Sequence, residues 1–158
     1  MSATSPAITA RPAAADDLGA VRALVSLAAT EARPQRGGAL LIDFDFGGVL
    51  DVDISADDAV ATFVGVLDDT VVGYLVLRRH VTNGVTVAMV EQLFVHPETR
   101  SVGVGATLLN CAAERGRQRS AVRLESHVLP GNRAAKNFFE RMGLVTRKMR
   151  VSAPIDDS

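Results

Sequence analysis

Residues 90–109 read VEQLFVHPETRSVGVGATLL. The apolar run Leu93-Phe94-Val95 stops at His96-Pro97, and a second apolar-periodic stretch starts at Val104. Between them lie Arg100, Ser101, Val102 and Gly103, with Gly105 and Ala106 just beyond. Chemically this is a loop joining a strand to the start of a helix. A helix N-terminus carries unpaired N–H groups and the positive end of a dipole, so it attracts anions. Glycine lets backbone approach a bulky group, and arginine adds a charge. Together these describe a seat for a phosphate or pyrophosphate. Two familiar phosphate motifs do not fit. A Walker loop needs a lysine that is absent, and a dinucleotide fingerprint needs a small third residue where Leu108 stands. Taken alone, the hexapeptide RSVGVG also fits a plain turn.

Upstream, ATFVGVL (61–67), the turn DDT (68–70) and VVGYLVLRR (71–79) form a hairpin pattern. Asn83-Gly84 marks a second turn, leading into VTVAMVEQLFV (85–95), which is apolar on both faces and therefore central. Nearer the start, Ile8 to Arg11 is strand-like. Leu18, Val21, Leu24 and Val25 recur at helical spacing, giving a helix from about Asp16 to Ala32. Ser55 followed by Ala-Asp-Asp resembles the cap of a short helix. Downstream, Gly103 to Arg115 reads as a helix and AVRLESHVL (121–129) as a strand. Arg133 to Met142 reads as a helix closed by Gly143, and LVTRKMRVS (144–152) as a last strand. This order predicts a mixed α/β layer fold in one domain over residues 1–158, with an ordered core from about 8 to 150.

The stretch 90–109 resembles motif A of the GNAT family of N-acetyltransferases, Gln/Arg-x-x-Gly-x-Gly/Ala, with Arg100, Gly103 and Gly105 at its three positions. A second block, NRAAKNFFERMGL (132–144), is similar to that family's Asn-x-x-Ala-x-x-Phe/Leu-Tyr-x-x-x-Gly-Phe pattern through Asn132, Ala135, Phe138, Phe139, Gly143 and Leu144. The resemblance implies a mostly antiparallel mixed sheet, flanked by helices and splayed between its fourth and fifth strands, here 85–95 and 121–129. It implies acetyl-CoA as cosubstrate. Leu93, Phe94 and Val95 would pair with the pantetheine arm like an added strand. Arg100, Ser101, Val102, Gly103, Val104, Gly105 and Ala106 would hold the pyrophosphate. Asn132 would bond the cofactor, and Phe139 would pack near the thioester.

The implied reaction is attack of a primary amine, on a small molecule or a protein, on the acetyl group. Glu91 is the candidate base. In simple alternation it shares a face with Met89 and Leu93, and an acid in so apolar a strand suits proton abstraction near neutral pH. Its competing role is an ion pair with Arg78 or Arg123. Phe139 departs from the family pattern, because the Tyr usual there can protonate the leaving thiolate. A catalytically weak acetyl-CoA-binding sensor or structural module is therefore the alternative function.

The remaining sequence narrows the classes. The chain has 158 residues, 47% hydrophobic and 22% charged, with 17 basic against 18 acidic residues and a net charge of −1. No basic surface for nucleic acid is evident. No run approaches the roughly 18 apolar residues of a membrane span, and the N-terminus lacks the pattern of a secretory signal, so a cytoplasmic protein is expected. One cysteine, Cys111, allows no internal disulfide, and His80, His96 and His127 are scattered, so no metal site is expected. Tyr74, the one tyrosine, would pack or touch substrate. Asp43, Asp45, Asp51, Asp53, Asp57 and Asp58 fall in the segment that chooses the acceptor in the family. They would favour a cationic one. A homodimer would be in keeping with the resemblance.

Overall fold

The computed structural model describes residues 4–42 and 59–155. The six aspartates named above and the Ser55 cap lie outside the described residues. Among the described residues, five strands, β1 (Ile8–Pro12), β2 (Val60–Leu67), β3 (Thr70–Thr82), β4 (Val85–Val95) and β5 (Arg123–Ser126), form one sheet in that order. Neighbours are antiparallel except β4 and β5, which are parallel. The helices are α1 (Leu18–Ala32), the single turn α2 (Gly38–Leu40), α3 (Val104–Gln118) and α4 (Arg133–Arg141).

Local chemistry accounts for the turns. Asp68 and Asp69, then Asn83 and Gly84, all have positive φ, and each pair closes a two-residue hairpin, a conformation these residue types tolerate. The sheet carries a core on each face. On one, Val21, Leu24 and Val25 of α1 pack against Val64, Tyr74, Val76 and Phe94. On the other, Val104, Leu108, Leu109 and Ala112 of α3, with Phe139 of α4, cover Phe63, Leu75, Leu77, Ala88 and Val90. The start of α3 lies very close to the sheet because Gly65 has no side chain. A Cβ there would stand 2.6 Å from Val104 Cγ1.

Two strand expectations need correction. The strand expected at 121–129 is reduced to Arg123–Ser126, the four residues that pair with β4. Residues 144–152 form no strand. Gly143, at φ 90°, ends α4, and Leu144 N–H donates to the Phe139 carbonyl, after which the chain leaves the sheet. Val145, Met149 and Val151 stay 62%, 80% and 89% exposed. A period-two pattern states a preference for extended backbone. It does not supply a neighbouring strand, and Arg147 interrupts this segment's apolar side.

Asp17, buried at the entry to α1, joins that helix to β1. Its carboxylate accepts from both terminal nitrogens of Arg11, at 2.6 and 3.0 Å, and from Ala14 N–H at 2.7 Å. The Arg11 hydrogen bond holds the Asp17 carboxyl below its ordinary pKa, against the opposing effect of burial, and the Ala14 N–H adds to the lowering. A carboxyl whose pKa is lower folded than unfolded stabilises the fold above its unfolded value, near ~4, and loses that contribution as pH falls through the folded value. Asp17→Asn is therefore expected to cost about 1–3 kcal/mol at pH 7. Urea melts at pH 7 and pH 3 would show the gap from wild type narrowing in acid.

Candidate active site

The site begins where β4 and β5 part. Their pairing runs from Val87↔Arg123 to Val90↔Ser126 and stops, while β4 continues to Val95. Beyond Val90 the edge of β4 that faced β5 has no strand partner among the described residues, and an extended ligand arm fits such an edge.

Glu91 is the first residue past that point, and it is also a bulge. On the β3 side, Leu77 pairs with Val90 and Val76 with Gln92, so Glu91 is the extra residue between them. The bulge corrects the simple alternation. Ala88 and Val90 face α3, but beyond the bulge Leu93 and Val95 pack toward α3 while Phe94 packs toward α1. Met89 and Leu93 therefore lie on opposite faces, and Glu91 does not share one face with both. Nor does Glu91 stand alone in an apolar strand. Its Oε1 accepts from Arg78 Nε at 2.5 Å, with 26% of its side chain exposed. Of the two arginine partners expected, Arg78 is the one found, and Oε2 has no protein partner among the described residues. Arg123 bonds Glu125 instead.

The loop to α3 has the form a phosphate seat needs. Pro97–Thr99 make a 3-10 turn, with His96 Nδ1 accepting from Glu98 N–H at 3.2 Å. Gly103 caps α3 with φ 104°, a left-handed conformation that suits glycine. The N–H groups of Val104, Gly105 and Ala106 in the first turn of α3 have no intrahelical acceptor. A Cβ on Gly105 would touch the Phe138 ring at 3.4 Å, so α4 stands directly behind this turn.

Other residues are placed differently. Asn132 caps α4, its Oδ1 accepting from Ala135 N–H at 3.0 Å, which leaves its amide NH₂ as the group able to reach a ligand. Phe139 is 8% exposed, within the core, its ring edge-on to Phe138 at 5.3 Å. Tyr74 is core: its hydroxyl donates to Gln92 Oε1 at 2.6 Å, and burial pushes its pKa up. His127 is exposed beyond the end of β5. Cys111 is half-buried against the α3 core, and burial raises its thiol pKa despite Arg115 nearby. Among the described residues, no cluster of three His, Cys, Asp or Glu could hold a metal, and no helix is long and apolar enough to cross a membrane.

A shallow hollow lined by Ala61, Leu77, Arg79, Ala88, Arg115 and Ala121 lies at the other end of α3, about 20 Å from the loop. The parting of β4 and β5, not this hollow, defines the candidate site. Arg78 and Arg119 also line it, but its strand residues Leu77 and Ala88 are paired within the sheet, and it lies against the carbonyl end of α3 rather than the N–H end.

The sequence matches the acetyltransferase (GNAT) family over residues 18–144, and the chain belongs to that family. Its fold is that of solved family structures. An aminoglycoside N-acetyltransferase AAC(6')-Iy in complex with CoA superimposes with a TM-score of 0.69 at 18% identity, covering 100% of both chains. A ribosomal-protein-alanine N-acetyltransferase from Brucella melitensis biovar Abortus 2308 gives 0.70 at 14% identity, covering 95% of this chain and 100% of that one. The F44R mutant of the BH1408 protein from Bacillus halodurans gives 0.76 at 17% identity, covering 92% and 98%. No curated protein matches the chain. The family's cosubstrate is acetyl-CoA, and the residues present suit it: an open strand edge for the arm and a glycine-capped helix start for the phosphates.

Proposed function

We propose that this chain is one N-acetyltransferase domain that moves an acetyl group from acetyl-CoA to a primary amine without a covalent enzyme intermediate. The observation that carries the proposal is the parting of β4 from β5 at Val90 and Ser126, which leaves Glu91 to Val95 as an open edge running to the loop that leads into the glycine-capped start of α3. The backbone of Leu93, Phe94 and Val95 pairs with the pantetheine arm. The loop from Arg100 to Ala106 receives the pyrophosphate on backbone N–H groups. The Asn132 amide bonds the cofactor, and Phe139 supports the wall near the thioester. Binding the non-reacting parts of the cosubstrate in this way positions the acetyl group.

An alkyl amine is mostly protonated near pH 7, so a base must free its lone pair. Glu91 serves through an ordered water. Arg78 holds one carboxylate oxygen and fixes the side chain, and the other is left to accept the proton. As the extra residue in a bulge, Glu91 also has backbone groups outside the β3 ladder, and its N–H suits a developing oxyanion. The thiolate needs little help to leave, because a thiol is a far stronger acid than an alcohol. That is why Phe139, which has no proton to give, is compatible with turnover. A cationic acceptor, a homodimer and a cytoplasmic setting complete the reading.

Phe139 also favours a second reading, an acetyl-CoA-binding module with weak transfer. One pair of measurements decides. Calorimetry is expected to show acetyl-CoA binding with a micromolar Kd, and no binding would remove both readings. A panel of primary amines, followed by thiol release, is expected to show turnover. Binding without release would leave the module.

A further inference from the structure

Arg100 is the charged residue of the cofactor loop, yet its guanidinium points away from the start of α3. Nε donates to the Val95 carbonyl at 3.0 Å. Nη2 donates to both carboxylate oxygens of Glu31, at 2.9 Å each. The guanidinium carbon sits 5.2 Å from the centre of the Phe94 ring. Phe94 belongs to the core under α1, and Glu31 lies in the last turn of α1. The head of Arg100 is therefore on the α1 face of β4, whereas Val104 and Leu108 of α3 pack on the other face.

We infer that Arg100 is a positioning residue rather than a phosphate ligand, and that Glu31 is its anchor. The arginine ties three parts together: the end of β4 through the Val95 carbonyl, the end of α1 through Glu31, and the loop through its own backbone. Ser101, next in the chain, is held at φ 68° and Gly103 at φ 104°, so the loop needs a fixed starting point to present its N–H groups in one direction. The strut supplies that point, and the phosphates are left to backbone N–H groups alone. The inference rests on the acetyl-CoA reading above.

Its test is the sign of a single substitution. Were Arg100 to swing onto the phosphates when CoA binds, Glu31 would compete for it, and Glu31→Gln would tighten binding. For a strut, the same change loosens the loop and weakens binding. Calorimetry with CoA on wild type, Glu31→Gln, Arg100→Ala and the double variant is expected to give Kd values raised about two- to fivefold by Glu31→Gln, the scale of a half-exposed ion pair. Arg100→Ala is expected to raise Kd about tenfold, since it also loses the carbonyl and ring contacts. The double variant should be no worse than Arg100→Ala, the mark of a shared pathway. Pantetheine, which lacks the pyrophosphate, should bind wild type and Glu31→Gln alike, which general loosening of the fold would not produce. Tighter binding or no change in Glu31→Gln, with wild type binding CoA, overturns the strut alone. Failure of wild type to bind CoA overturns the cofactor reading, and the strut with it.

Discussion

Gly103→Glu is expected to abolish measurable acetyl-CoA binding, a loss of at least about a hundredfold, while the protein stays folded. The loss has two sources. Gly103 sits at φ 104°, where a residue with a Cβ costs about 1–3 kcal/mol, so the first turn of α3 would shift to relieve strain. The new carboxylate would also lie at the helix start and take the N–H groups that phosphate needs. Two or three charge-assisted hydrogen bonds at about 1.5–3 kcal/mol each exceed the ~2.7 kcal/mol that a hundredfold represents. The fold should survive because the site has room. The nearest atom to a Cβ there is Ile8 Cδ1 at 3.7 Å. Gly103→Ala separates the two causes, since it strains the turn without adding charge, and should cost no more than about tenfold. Calorimetry with a far-UV spectrum and a thermal melt measures all three proteins. Unimpaired binding in Gly103→Glu would mean that the phosphates sit elsewhere.

Much of this candidate site could be named from the chain because its parts are local. Arg100, Gly103 and Gly105 lie within six residues, and a strand end, a loop and a helix start can each be recognised from neighbours in sequence. The same holds for the hairpins, where Asp68-Asp69 and Asn83-Gly84 carry their own turn chemistry. What escaped depends on partners far away in sequence. Glu31 and Arg100 are 69 residues apart, and no pattern around either announces the other. The bulge at Glu91 exists only as a mismatch between two registers, so a period-two reading of β4 ran through it and put Leu93 on the wrong face. The expected strand at 144–152 failed in the same way. Its residues favour extended backbone, but nothing local could say that β5 would pair with β4 over only four residues.

The bulge also links fold to chemistry. A regular β4 would pair every residue with β3 on one side, and Glu91 would be one more rung. Because the register slips at Glu91 and the contact with β5 ends at Val90, this residue has a strand partner on neither side among the described residues. In the proposed reaction, the place where the sheet gives up hydrogen bonds is the place where a thioester carbonyl and an incoming amine would need them. Arg78 on β3, which stands opposite Met89, reaches diagonally to fix the carboxylate.

Glu91→Gln is expected to lower kcat about a hundred- to thousandfold at pH 7, with acetyl-CoA affinity unchanged. Glutamine keeps the shape and still offers Arg78 Nε an acceptor, so the ion pair becomes a neutral hydrogen bond and the bulge is preserved. It cannot take a proton. The rate should recover as pH rises toward the pKa of the amine, because an acceptor that arrives deprotonated needs no base. Steady-state rates with one alkyl amine from pH 6.5 to 10, for wild type and variant, would show the two curves converging at the alkaline end. Equal kcat at pH 7 would remove Glu91 as base and leave Arg78 and Glu91 as a structural pair across the bulge. A raised Kd for acetyl-CoA at constant kcat would instead place the pair in shaping the cleft. Arg78→Gln separates these further. For a base held by its partner, it should lower kcat less than Glu91→Gln does, since it loosens the carboxylate without removing it.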